Sequence, residues 1–84
     1  MLMSYDAAAR AGSFTAAAHE LNVTQGAVSR QIGALENQLG IELFKRDHKP
    51  LQLTSVGKTY AQEVNSALQL LRNASLTAIT KPQT

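Results

Sequence analysis

Residues 13–40 read SFTAAAHELNVTQGAVSRQIGALENQLG, and the fold turns on how this stretch divides. Ser13 is suited to cap a helix, and Phe14, Ala17, Ala18 and Leu21 follow at i, i+3, i+4 and i+7, sharing one buried face. Asn22 ends that helix, and Thr24 caps a longer one that runs to Leu39 and stops at Gly40. With only Asn22 and Val23 between them, the two helices must cross sharply. Val23, apolar in a polar turn, is expected to plug the angle between them. This is the pattern of a helix-turn-helix, spanning about residues 14–33.

Working outward toward the N-terminus, Leu2, Tyr5, Ala8 and Ala9 fall at helical spacing, and Gly12 is placed as a left-handed C-cap, predicting a short helix over Leu2 to Ala11. In the other direction the period near 3.6 gives way to alternation: Ile41, Leu43, then KRDHKP, then Leu51, Gln52 and Leu53. That predicts a small hairpin over about residues 41–53. Pro50, lacking an amide hydrogen, suits its turn or edge. A two-stranded ribbon cannot stand alone, so it must lie against the helices as a wing. Thr54 or Ser55 next caps a helix that can reach Ala78, roughly 36 Å at a rise of about 1.5 Å per residue. The fold class is therefore mainly α: three helices and a two-stranded wing, a winged helix-turn-helix over residues 1–54, then a long linking helix over 55–80 and a short tail, 81–84.

That last helix is longer than so small a domain is wide. Val56, Tyr60, Val64, Ala67, Leu68, Leu71, Ala74 and Ala78 form its apolar arc, with Lys58, Gln62, Asn65, Gln69, Arg72 and Asn73 opposite. The part of the arc beyond the domain, drawn from Tyr60, Val64, Ala67, Leu68, Leu71, Ala74 and Ala78, needs a partner, most simply the same helix of a second copy. A chain of 84 residues gains from such help, because it buries little surface by itself. With no cysteine, neither a disulfide framework nor a thiolate metal site can supply it, and a reducing cytoplasm is the expected compartment. Apolar residues make up 44% of the sequence, yet charged residues interrupt every run well short of the roughly 18 residues of a membrane span. The opening MLMSYDAAAR also lacks the charged start and apolar centre of an export signal. A soluble protein is expected.

The net charge of +2 permits a polyanionic partner without demanding one, so the placement of the cations matters more. On the third helix, turning about 100° per residue, Val28, Ile32, Leu35 and Leu39 gather on one side, while Gly26, Arg30, Gly33 and Asn37 gather opposite, with Ser29 on the flank. A helix entering a major groove about 12 Å wide needs outer residues that are small or can donate to base edges. Gln25 can bridge adenine, Arg30 can reach guanine or a phosphate, and Ala27, turned outward, can touch a thymine methyl; Gly26, Ser29 and Gly33 keep the face thin. Gly33 costs about 1 kcal/mol relative to alanine, a cost that a closely passing backbone would explain. The free amides at the starts of the second and third helices can hold phosphate, the former near Ser13 and Thr15. The wing cluster from Lys45 to Lys49 is placed to meet phosphates as well, and His48 can add a contact when protonated. Singly, each of these residues would be ordinary on a solvated surface. Their joint placement after a tight turn is what points to double-stranded DNA.

The stretch AARAGSFTAAAHELNVTQGAVSRQIGALENQLGIELFKRDHKPLQLTSVGKTY closely resembles the N-terminal domain of LysR-type transcriptional regulators. SFTAAA, VTQGAVSRQI, LE followed by LG, LF at the wing, and LT followed by G carry the resemblance. It implies bacterial transcription regulation by a homodimer built on antiparallel pairing of the last helix, with two recognition helices in successive major grooves, and tetramers in full-length members. It also implies base contacts around Gln25, Gly26, Ser29 and Arg30, and backbone contacts from Ser13, Thr15, Thr24, Arg46 and Lys49. Relatives carry a larger C-terminal domain that binds a small-molecule inducer. None of that domain is in this sequence, so the chain is expected to be the DNA-binding part of a longer regulator, with no cofactor of its own. Gly33 and Ser55 depart from the family pattern, where a basic or long polar residue and an acidic residue are usual.

Two other classes remain to be weighed. A helical dimerisation or protein-interaction module would use the same amphipathic last helix and leave the wing idle. An enzyme is not expected: there is no cysteine nucleophile, no Gly-rich phosphate loop, no pair of carboxylates beside a histidine, and little room for a pocket. His19 and His48 do not share ligand spacing, so no metal is expected.

Overall fold

The computed structural model describes residues 1–47 and 50–80. Its elements run α1 (Leu2–Ala11), α2 (Phe14–Leu21), α3 (Gln25–Leu39), β1 (Phe44–Lys45), β2 (Gln52–Leu53) and α4 (Ser55–Thr80). Local chemistry sets the helix ends. The Ser13 hydroxyl accepts from the Ala16 amide at 3.2 Å and the Thr24 hydroxyl from the Ala27 amide at 3.1 Å, each satisfying a donor that the first turn leaves without a partner. Gly12 and Gly40 close α1 and α3 with φ of 68° and 71°. Asn22 does the same for α2 at φ 58°, a conformation that asparagine, with its short polar side chain, tolerates better than most residues other than glycine. The start of α4 is capped by Thr54, whose Oγ1 accepts from the Gly57 amide at 3.0 Å and donates to the Glu42 carbonyl at 2.8 Å.

The core gathers residues from every layer: Tyr5, Ala7 and Ala8 of α1, Ala17 and Ala18 of α2, Val28, Ile32 and Leu35 of α3, Leu43 and Phe44 of the wing, and Val64 of α4. All four aromatic residues of the chain meet in one series of ring contacts. Tyr60 lies 5.4 Å from Tyr5, Tyr5 is edge-on to Phe44 at 5.6 Å, and Phe44 is edge-on to Phe14 at 5.4 Å. Such pairs add to the burial of the rings themselves and join α4, α1, the wing and α2.

Several apolar expectations need correction. Val23 is 44% exposed and does not plug the helix crossing; the buried residues of the two helices are Ala17 and Ala18 on α2 and Val28, Ile32 and Leu35 on α3. Leu39 is 41% exposed because the chain leaves the helix at Gly40, and Glu36 occupies the buried flank instead. Among the described residues the paired part of the wing is shorter than residues 41–53: Phe44 pairs with Leu53 and Lys45 with Gln52, antiparallel. Ile41 is exposed, while the consecutive Leu43 and Phe44 are both buried, so the alternation does not hold there.

In α4, Val56 points outward and Gly57 takes the inner position. A Cβ on Gly57 would stand 2.1 Å from the Leu43 carbonyl oxygen, so only glycine lets the helix approach the wing this closely. The Tyr5 hydroxyl donates to the Gly57 carbonyl at 2.6 Å. Asn65, expected on the polar face, is half-buried and donates to Asp6 at 3.0 Å. Asp6, 3% exposed, also accepts from Arg10 at 3.1 Å, and Arg10 reaches on to Glu20 of α2. This polar network ties α1 to α2 and α4.

Candidate nucleic-acid interface

The starts of α2 and α3 and the underside of the wing border one groove. Gly12, Ser13, Phe14, Thr15, Gln25, Ser29, Arg46, Pro50 and Leu51 line it. Five residues singled out from the sequence therefore converge from three elements: Ser13 and Thr15 from the α2 start, Gln25 and Ser29 from α3, and Arg46 beside β1. The first turns of α2 and α3 carry no acidic residue, so nothing there offsets the partial positive charge of their amide ends. The capping hydroxyls of Ser13 and Thr24 use a lone pair for the cap and keep their own proton to donate.

Along α3, Gln25 and Arg30 are exposed, and Gly26, Ala27, Ser29 and Gly33 are half-buried. The Arg30 guanidinium lies back toward the helix start, with Nη1 3.6 Å from where a Cβ on Gly26 would sit. Gly33 faces open space: among the described residues a Cβ there would meet nothing within 4 Å, so no backbone among them explains that glycine. Gln31, exposed on the same helix, is held by the hydroxyl of buried Ser4 and fixes α3 against α1. His48 and Lys49 lie outside the described residues.

Glu36 is a residue that the sequence reading did not select. Its Oε2 accepts from the Leu43 amide at 2.7 Å and the Phe44 amide at 3.3 Å, and its Oε1 accepts from Arg46 Nη2. Burial pushes this carboxyl up, but the hydrogen bonds from Arg46, Leu43 and Phe44 together hold it below the usual carboxylate range. The signal was available: Glu36 follows Ile32 by four positions on the border of the apolar face.

Arg46 in turn lies over the Phe14 ring, 5.6 Å from its centroid. Of the expected dimer residues, Val64 is buried, Tyr60 and Leu68 are half-buried, and Ala67, Leu71, Ala74 and Ala78 are exposed. Met3 of α1 and Leu68, Leu71, Arg72, Ser75, Leu76 and Ile79 of α4 line a largely apolar trough at the edge of the domain. Among the described residues, no helix is long and apolar enough to cross a membrane and no group of His, Cys, Asp or Glu is arranged to hold a metal.

Comparison with known proteins agrees with this arrangement. The glycine cleavage system transcriptional activator homolog of Haemophilus influenzae is 51% identical over 79 residues, covering 94% of this chain and 26% of that protein. The glycine cleavage system transcriptional activator of Escherichia coli K12 is 47% identical over 74 residues, covering 88% of this chain and 24% of the relative. The chain thus spans about a quarter of the length of these curated relatives. Among solved structures, that of the BenM DBD with catB site 1 DNA superposes with a TM-score of 0.88 at 32% identity, covering 92% of this chain and 83% of that one. The CbnR DBD–DNA complex superposes with a TM-score of 0.83 at 34% identity, covering 92% and 88%. The family described as bacterial regulatory helix-turn-helix protein, lysR family, matches residues 1–58, and the chain belongs to that family.

Proposed function

We propose that this chain is the sequence-specific, double-stranded DNA-binding part of a LysR-type transcriptional regulator, acting as a homodimer. The observation that carries this reading is the single groove into which α2, α3 and the wing bring Ser13, Thr15, Gln25, Ser29 and Arg46, with Arg30 exposed on the adjoining outer side of α3. In this reading α3 enters the major groove. Gln25 and Arg30 address base edges, Ala27 and Ser29 flank them, and Gly26 and Gly33 let the DNA approach. Ser13, Thr15 and Thr24 at the helix starts, with Arg46 of the wing, hold phosphates on either side. The solved DNA complexes of similar domains support DNA binding by this domain.

Dimerisation is assigned to the apolar trough along the outer part of α4, and the bacterial cytoplasm, on the nucleoid, is the proposed location. The role is regulatory rather than catalytic. Any inducer is assigned to sequence beyond this chain, in the longer protein. An interaction module that makes no use of DNA would need the trough but not the groove, and nothing in its geometry calls for capped, acid-free helix starts facing a wing arginine. The test is titration of duplex DNA at increasing salt. Binding that weakens linearly in log–log form, with a slope reflecting several phosphate contacts at about 0.9 per contact, is expected. Absence of duplex binding at low salt would overturn the reading.

A further inference from the structure

By charge alone, Glu36 should oppose binding to a polyanion, since it sits on α3 itself, the helix assigned to the DNA groove. Its geometry says otherwise. At 9% exposure it is withdrawn from the surface, and its two oxygens are occupied by the amides of Leu43 and Phe44 and by Arg46. Arg46 is caught between this carboxylate and the ring of Phe14, while also lining the groove with Ser13, Thr15, Gln25 and Ser29. A guanidinium has five N–H donors in one plane. One Arg46 nitrogen is directed at Glu36 and the guanidinium carbon lies 5.6 Å from the Phe14 ring centroid, so the head group is held at two points and the range open to its remaining donors is narrowed in advance. The same carboxylate anchors the start of β1 to α3, so the wing and the helix are tied at one point.

We propose that Glu36 is a positioning residue for DNA-backbone binding, holding the Arg46 guanidinium on the Phe14 ring with its remaining donors turned to a phosphate in the groove. The proposal rests on the DNA-binding reading above. The benefit is preorganisation: a long, flexible side chain is ordered before the DNA arrives, so less freedom is lost on binding. Glu36 acts through Arg46 and touches no DNA.

The experiment compares duplex affinity and salt slope for the unaltered protein, Glu36→Gln, Arg46→Gln and the double variant, with circular dichroism confirming that each is folded. A purely electrostatic account has Glu36→Gln bind DNA more tightly. Positioning instead predicts binding about 3- to 10-fold weaker on specific and random duplexes alike, with the salt slope reduced by up to about 1. On the Arg46→Gln background, Glu36→Gln should then add no further loss in folded protein. Tighter or unchanged binding by Glu36→Gln would overturn the proposal, and so would a further loss in the double variant. Should Glu36→Gln fail to fold, Arg46→Lys decides, because lysine keeps the charge but not the planar bridge and stack. About 3-fold or greater weakening supports positioning, and unchanged affinity overturns it. The DNA-binding reading fails separately, by the unaltered protein showing no salt-dependent duplex binding, and this proposal falls with it.

Discussion

Arg30 stands exposed on the outer side of α3, its guanidinium lying back over Gly26. A side chain so placed can be tested as a base reader by difference. Arg30→Ala should weaken binding to a selected site by about 1–3 kcal/mol and relax the preference at one base position, while binding to random duplex changes much less. Equal losses on both duplexes, measured by competition, would reassign Arg30 to the backbone. Gly57 makes a stability prediction of a different kind. Because an added Cβ would stand 2.1 Å from the Leu43 carbonyl oxygen, Gly57→Ala should destabilise the fold by about 1–3 kcal/mol or more, despite the better helix propensity of alanine. A urea midpoint equal to that of the unaltered protein would show that α4 can draw back from the wing without cost.

At the scale of elements, the packing of α1 against α4 and the wing depends on a buried phenol. Burial pushes the Tyr5 hydroxyl up to about 12 from an ordinary value of 10.0, with the nearby Tyr60 and Glu36 adding to the effect. The folded value is above the unfolded one, so this contribution to stability is complete below pH 10 and is lost as pH rises from 10 toward 12. Thermal midpoints should therefore fall over that interval, and Tyr5→Phe should fall less steeply; parallel curves would remove Tyr5 as the cause.

The elements themselves were largely legible because their ends are decided locally. Ser13, Thr24, Gly12 and Gly40 each act within four residues of the helix end they close. What stayed hidden joins residues distant in the chain. The approach of Gly57 to Leu43, the Tyr5 hydroxyl on Gly57 and the Asn65 amide on Asp6 exist only once α4 has docked, and no periodicity encodes them. Val23, Leu39 and Ile41 misled for the complementary reason: hydrophobicity indicates which residues can be buried, but the chain reverses at Asn22 and Gly40 and leaves these three at the rim. Of the site, the residues on α2, α3 and the wing arginine could be named, whereas their convergence in one groove, and Glu36 beneath it, required the tertiary structure.

At the scale of the whole molecule, the shape is elongated, 55 Å by 25 Å by 21 Å, because α4, 26 residues long, extends beyond the domain it caps. Leu68 is the last half-buried position of α4 before a stretch, residues 69–79, that is exposed throughout, with Leu71 at 64%, so that stretch contributes surface rather than core to a single copy. Leu71→Asp should accordingly leave the helical content and core of one copy intact while abolishing dimerisation, read as a halved sedimentation mass. An unchanged mass would exclude this helix as the seam. In the dimer proposed above, each recognition helix would cover one half-site and the pairing of the two copies would set the spacing between half-sites. The most direct test of the central claim is selection of duplexes from a random pool by the purified protein. The account predicts recovery of a two-fold symmetric site with half-sites about one helical turn apart, lost when the selection is repeated with Arg30→Ala. Retention of duplexes at low salt with no sequence enriched would contradict it.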